Sequence, residues 1–175
     1  ALYFKTGKFK QALEHLEYAV KLNPNNRKGR INLSALYLNL GKIAQALREA
    51  EIALEITDQE ADAFLVLANA LLASGRNEEA QNAYYKALAL SPRDSSALNG
   101  LGTLLYKKKN YEEAVRLLKK STEINADAAI AHFNLAMSLL ALNRREEAKR
   151  SFEACIARDP SMKAEIEVIL RKNSL

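Results

Sequence analysis

Tryptophan is missing, and cysteine, proline and glycine are scarce, at one, three and six residues in a chain of 175. The lone Cys155 excludes an internal disulfide framework. So few prolines and glycines leave no flexible linker and no fibrous repeat. No apolar run approaches the roughly 20 residues that span a bilayer, so direct membrane insertion is not expected. Charge of one sign is lacking as well. The net charge is +5, but Lys and Arg outnumber Asp and Glu nine to three in residues 1–50, are outnumbered three to eight in 51–100, and lead fourteen to ten in 101–175. Alternating blocks of sign make no continuous basic footprint, and nucleic acid is not an expected partner. The chain starts at Ala1 without a Met, which suggests a piece of a longer protein with repeats or a further domain upstream. No targeting segment is visible, and the compartment stays open with the cytoplasm as the default.

What is present is one sentence written several times. "TGKFKQALEHLEYAVKLNPNN", "SGRNEEAQNAYYKALALSPRD" and "LNRREEAKRSFEACIARDPSM" share a register. Ala12, Ala46, Ala80, Ala114 and Ala148 stand 34 residues apart with no insertion. Other columns keep the same step. Ser34, Ala68, Gly102 and Ala136 form one, and Ala19, Ala53, Ala87, Ser121 and Cys155 another. Small side chains at fixed places let two helix backbones approach closely. Leu33, Leu67, Leu101 and Leu135 add a large apolar column, and apolar residues three and four apart mark one stripe of a helix. Gly7, Gly41, Gly75, Lys109 and Asn143 fall where a left-handed residue would end a helix, and Lys109 predicts a strained or differently built turn there. Pro24, Pro92 and Pro160 separate successive copies. Arg30 stands in the column of Phe64, Leu98 and His132.

The period and its columns resemble the tetratricopeptide repeat, a helix–turn–helix unit of 34 residues. The resemblance covers the whole chain and implies an all-α, right-handed solenoid. It implies a single domain over 1–175, with a partial repeat at 1–26, full repeats at 27–60, 61–94, 95–128 and 129–162, and a capping helix at 162–172. Residues 1–6 are then the tail of a first helix, turned at Gly7. Ten helices or helix fragments and a cap are expected, with no strand. Leu2, Tyr3 and Phe4, without the rest of their helix, suggest self-association through the N-terminal end.

Catalytic chemistry is not visible. His132 falls in a core column, His15 on a second-helix surface, and Cys155 in the small-residue column, where a buried, inert thiol is expected. No metal-ligand spacing joins them, and no cofactor is implied. Gly100 and Gly102 lie inside a helix, not in a phosphate loop. The pairs Glu78/Glu79, Glu112/Glu113 and Glu146/Glu147 recur at the start of second helices, where they suit the helix dipole. The chain is expected not to be an enzyme.

In proteins of this family first helices line a groove. The resemblance places Asn32, Leu65, Asn69, Asn99, Tyr106, Phe133, Asn134 and Met137 there, together with Ile31, Val66, Thr103 and Lys107. Asn carries both a donor and an acceptor for a peptide backbone, and the apolar residues would supply affinity. A protein-interaction scaffold that binds a partner's peptide segment is the function implied. The alternatives are the substrate-recruiting arm of a larger enzyme, such as a glycosyltransferase, and a bacterial envelope or pilus-assembly factor. The carboxylate clamp of chaperone-binding members is not supplied by any three consecutive repeats. Of the asparagine ladder known from a glycosyltransferase, only Asn32 and Asn134 fit.

Overall fold

A computed structural model describes residues 2–173, with side chains from Phe9 onward. The described residues form ten α-helices and no strand: α1 (Leu2–Leu22), α2 (Arg27–Asn39), α3 (Ile43–Ile56), α4 (Ala61–Ala73), α5 (Asn77–Leu90), α6 (Ser95–Lys107), α7 (Tyr111–Ile124), α8 (Ala129–Ala141), α9 (Arg145–Arg158) and α10 (Lys163–Lys172). A short 3-10 turn at Pro160–Met162 precedes α10. No described helix is long and apolar enough to cross a membrane. The chain divides into two compact units, Ala1–Pro92 and Arg93–Leu175. The first holds α1–α5 and the second α6–α10.

Helix starts and stops follow local chemistry. The Asn26 side chain accepts from the Gly29 amide at 3.0 Å and opens α2. Asp94 accepts from the amides of Ser96 and Ala97 at 2.8 and 3.0 Å and opens α6; in both cases orphan donors of a first turn find an acceptor. At the turns inside the pairs α2/α3, α4/α5, α6/α7 and α8/α9, residues Gly41, Gly75, Lys109 and Asn143 all hold a left-handed φ, of 70°, 81°, 62° and 57°. In each, the next amide (Lys42, Arg76, Asn110 or Arg144) donates back to the carbonyl of Tyr37, Leu71, Leu105 or Leu139. This is a Schellman stop made four times. The turn at Lys109 is therefore not differently built: its hydrogen bonds match the other three and hold a lysine where glycine is easier.

The expected break at Gly7 is absent. Helix α1 runs from Leu2 to Leu22 through Gly7 without a turn. A glycine inside a helix costs only about 1 kcal/mol against alanine, so the hydrogen bonds of α1 carry it through Gly7. The side chains of Leu2, Tyr3 and Phe4, and with them the expected self-associating end, lie outside those described.

In the first unit, Ala46, Ala53, Ala80 and Ala87 are fully buried. Ile31, Ala50, Ala53, Ala63 and Val66 form one core of α2, α3 and α4. Ile31 and Val66 thus pack inward instead of lining a groove, because the neighbouring first helix covers them. The interior also takes polar groups. Arg30 is buried, its Nε donating to the Pro24 carbonyl at 2.7 Å and its Nη1 meeting Glu49 Oε2 at 2.6 Å. Ser34 donates to the Ala46 carbonyl at 2.8 Å, closing α2 on α3.

In the second unit, Ala114, Ala148, Phe152 and Cys155 are fully buried. Gly102 is small for a measurable reason: a Cβ there would lie 2.6 Å from Leu118 Cγ. Ser121 donates to the Ser95 carbonyl at 2.8 Å and ties α7 to the start of α6. Helix α10 closes this unit. Ile166 is fully buried and joins Ala136, Phe152 and Cys155, with Ile169 and Leu170 packed on them, while Lys163, Glu165 and Lys172 stay in water. One face of α10 is thus buried on the helices before it and the other is solvated.

Candidate functional site

Helices α6 and α8 lie side by side in the second unit and enclose a cavity of about 180 Å³ between their exposed faces. Thr103, Tyr106 and Lys107 supply the α6 wall; Phe133, Asn134 and Met137 supply the α8 wall. Spacings of three and four put each trio on one helical face. Four of the eight candidate groove residues, Tyr106, Phe133, Asn134 and Met137, are thereby brought together.

The walls are held from behind. The Phe133 ring meets the buried Phe152 ring edge-on, with centroids 5.8 Å apart, and Tyr106 tilts against Tyr111 at 5.6 Å. Asn134 Nδ2 donates to Asn99 Oδ1 and to Thr103 Oγ1, each at 3.0 Å. Both Asn134 donors are used inside the protein, so this residue cannot offer a full donor–acceptor pair to a peptide. Its Oδ1 and the Asn99 Nδ2 make no hydrogen bond to another described residue, and they remain for a ligand. Lys107 stands at the rim and has no ion-pair partner among the described residues. The cavity can take one large apolar side chain, with the Asn134 carbonyl and the Lys107 ammonium in its lining.

The first-unit candidates are arranged differently. Asn32 is exposed and Leu65 half-buried. Asn69 Oδ1 accepts from the Tyr84 hydroxyl at 2.6 Å, which clamps α4 to α5. Tyr84 is fully buried, and burial pushes its phenol well above the ordinary range. Asn69 keeps its amide nitrogen for other partners. Its structural duty lies across the helix pair, a contact that register alone does not reveal.

The residues weighed for chemistry fall as follows. Cys155 is fully buried, with Met162 Sδ 3.6 Å from its sulfur, and burial pushes its thiol up, away from the thiolate a nucleophile needs. His132 is half-buried, and its Nε2 bonds the Ala126 carbonyl at 2.9 Å; the Arg158 Nε donates to the same oxygen. His15 is exposed. Among the described residues no group of three His, Cys, Asp or Glu could hold a metal ion.

A second cavity, of about 270 Å³, lies on the opposite side of α8. Its floor is His132, Leu135 and Leu139, and its walls are Lys119 and Thr122 of α7 and Glu147, Arg150, Ser151 and Ala154 of α9. Sequence reasoning missed it, since most of its walls are second-helix positions that the repeat pattern treats as outer surface. The available signal was a cation on each of two successive second helices, Lys119 on α7 and Arg150 on α9.

Two models of the family described as tetratricopeptide repeat match the sequence, one over residues 65–129 and the other over 3–70 and 108–166. No curated protein matches it. Among solved structures, TTC0263, a thermophilic TPR protein of Thermus thermophilus, is 21% identical, with a TM-score of 0.81, over 98% of this chain and 93% of that one. PilF from Pseudomonas aeruginosa is 31% identical, with a TM-score of 0.75, over 85% and 69%. YrrB, described as a TPR protein with an unusual peptide-binding site, is 20% identical, with a TM-score of 0.66, over 95% and 86%.

Proposed function

The chain belongs to the tetratricopeptide repeat family, an all-α solenoid fold, and on that premise we propose that it is a protein-interaction scaffold whose first-helix faces bind an extended peptide segment of a partner. One observation carries the reading. Tyr106, Phe133, Asn134 and Met137 surround a single cavity on the exposed side of α6 and α8, with hydrogen-bonding atoms at its edge. An apolar pocket with a few convergent polar groups is what a peptide anchor requires. YrrB, which shares the fold, is described as having a peptide-binding site. In this reading Phe133, Tyr106 and Met137 receive an apolar side chain. Asn134 Oδ1 and Asn99 Nδ2 bond the peptide backbone, and Asn32, Leu65 and Asn69 form a second contact set in the first unit. The chain by itself catalyses nothing.

The test starts from a ligand peptide selected on an array. Phe133→Ala, Asn134→Ala and Met137→Ala should each weaken its binding by about 1–3 kcal/mol in calorimetry, with helicity by circular dichroism unchanged. Full affinity in all three variants would place the ligand elsewhere.

A further inference from the structure

We propose that the cavity formed by α7, α8 and α9 in the second unit is an independent docking groove for an acidic segment of a partner protein. It lies across α8 from the peptide pocket and shares no lining residue with it.

The charge in and around this groove is uneven. Glu147 is the only acid in the lining, and it is already engaged: Arg144 donates to both of its oxygens at 2.7 Å and Lys119 donates at 3.2 Å. These bonds, the Arg144 pair first, hold its carboxyl below the ordinary range, so the charge on it is permanent near neutrality. Arg150 is exposed and makes no hydrogen bond or ion pair with another described residue. Two cations of the lining, Lys119 and Arg150, thus stand beside one acid that Arg144, outside the lining, already engages. Thr122 and Ser151 donate to backbone carbonyls of their own helices, at 2.9 and 3.0 Å, and their oxygens can still accept. The floor of Leu135 and Leu139 is apolar and almost wholly buried.

The first unit carries the same groove at the same repeat positions and uses it differently. There Phe64, Leu67, Leu71, Glu79, Asn82, Ala83 and Lys86 form the lining. Asn82 stands at the place of Arg150. The Lys86 ammonium sits 5.3 Å from the centre of the Phe64 ring, and Glu79 is paired with Arg76 at 2.6 Å. Its acid is ion-paired and its cation rests over a ring. The groove itself is a product of repeat packing, and the uncommitted cation is particular to the second unit.

Carboxylates that alternate with apolar side chains fit such a surface. They would pair with Arg150 and with the Lys119 edge, while the apolar groups rest on Leu135, Leu139 and Ala154. A run of phosphates fits less well, because Glu147 stands in the wall and Leu135 and Leu139 make most of the floor apolar.

The test is a titration of the isotope-labelled chain with a short oligoglutamate peptide, followed by amide shifts in NMR. Shifts at Thr122, His132 and Ser151 are expected, fading as salt is raised. Arg150→Glu should weaken the affinity about tenfold, and Arg150→Ala somewhat less, by loss of a charge partner at a partly desolvated site. Phe133→Ala should leave it unchanged, which separates this groove from the peptide pocket. The proposal is overturned if the shifts gather at Lys107–Lys109, if neither Arg150 variant weakens binding, or if a short oligonucleotide binds the same amides more tightly than oligoglutamate.

Discussion

The two units share one backbone plan and place their polar side chains differently. In the first unit polar groups turn inward: Arg30 meets Glu49, the Tyr37 hydroxyl donates to Glu17 at 2.7 Å, and Tyr84 donates to Asn69. Burial and the neighbouring Glu17 push the Tyr37 phenol up to about 12. In the second unit the column that begins with Arg30 continues as Leu98 and His132, and the core is Leu101, Leu104, Leu118 and Phe152. Ser121 and Ser138 are buried there, while Thr103, Asn134, Lys119 and Arg150 line grooves. A side chain satisfied in the interior has little left to give a ligand, whereas one that is positioned but only half-satisfied on a rigid helix face is ready for a partner. The difference directs the search for binding to the second unit.

The largest test of this comparison is Arg30→Ala. It leaves Glu49 mostly buried without its cation and should cost the first unit about 3–5 kcal/mol, read as lost amide-exchange protection in α2 and α3. If α2 and α3 stay fully protected, the pair contributes no more than a surface contact, and the contrast between the interiors fails. Gly102→Ala should come next. The added methyl collides with Leu118 in the second unit and should cost about 2 kcal/mol in denaturant unfolding; an unchanged midpoint would mean that α6 and α7 have room to part. The smallest effect concerns the turns. Lys109→Gly removes left-handed strain and should stabilise by about 1 kcal/mol, while Gly75→Lys, the mirror change in the first unit, should destabilise by a similar amount. Equal responses of one sign would show that the two turns are not the same structure.

Much of this was legible in the sequence. The 34-residue step, the small-residue columns and the leucine columns place each helix of the four full repeats, and the buried Ala46, Ala80, Ala114 and Ala148 stand where the period puts them. The exceptions have local reasons. Gly7 is passed over because a glycine inside a helix costs only about 1 kcal/mol. Ile31 and Val66 pack against each other's helices and α3 within the core of their own unit. The candidate groove was legible as a face and not as a site. Repeat register puts Asn99, Tyr106, Phe133, Asn134 and Met137 on one aspect of two helices, but it does not say that Asn134 donates to Asn99 and Thr103.

By itself the sequence determined the helices, their stops and the faces they bury, because these depend on periodicity and on residues a few positions apart. Tertiary structure alone decided which polar groups are engaged and which are left over. Tyr84 finds Asn69, Arg30 finds Glu49 and Asn134 finds Asn99 across helix pairs. A hydrogen bond depends on the position of single atoms, to within a fraction of an ångström, whereas a repeat pattern specifies only which residue type occupies which face.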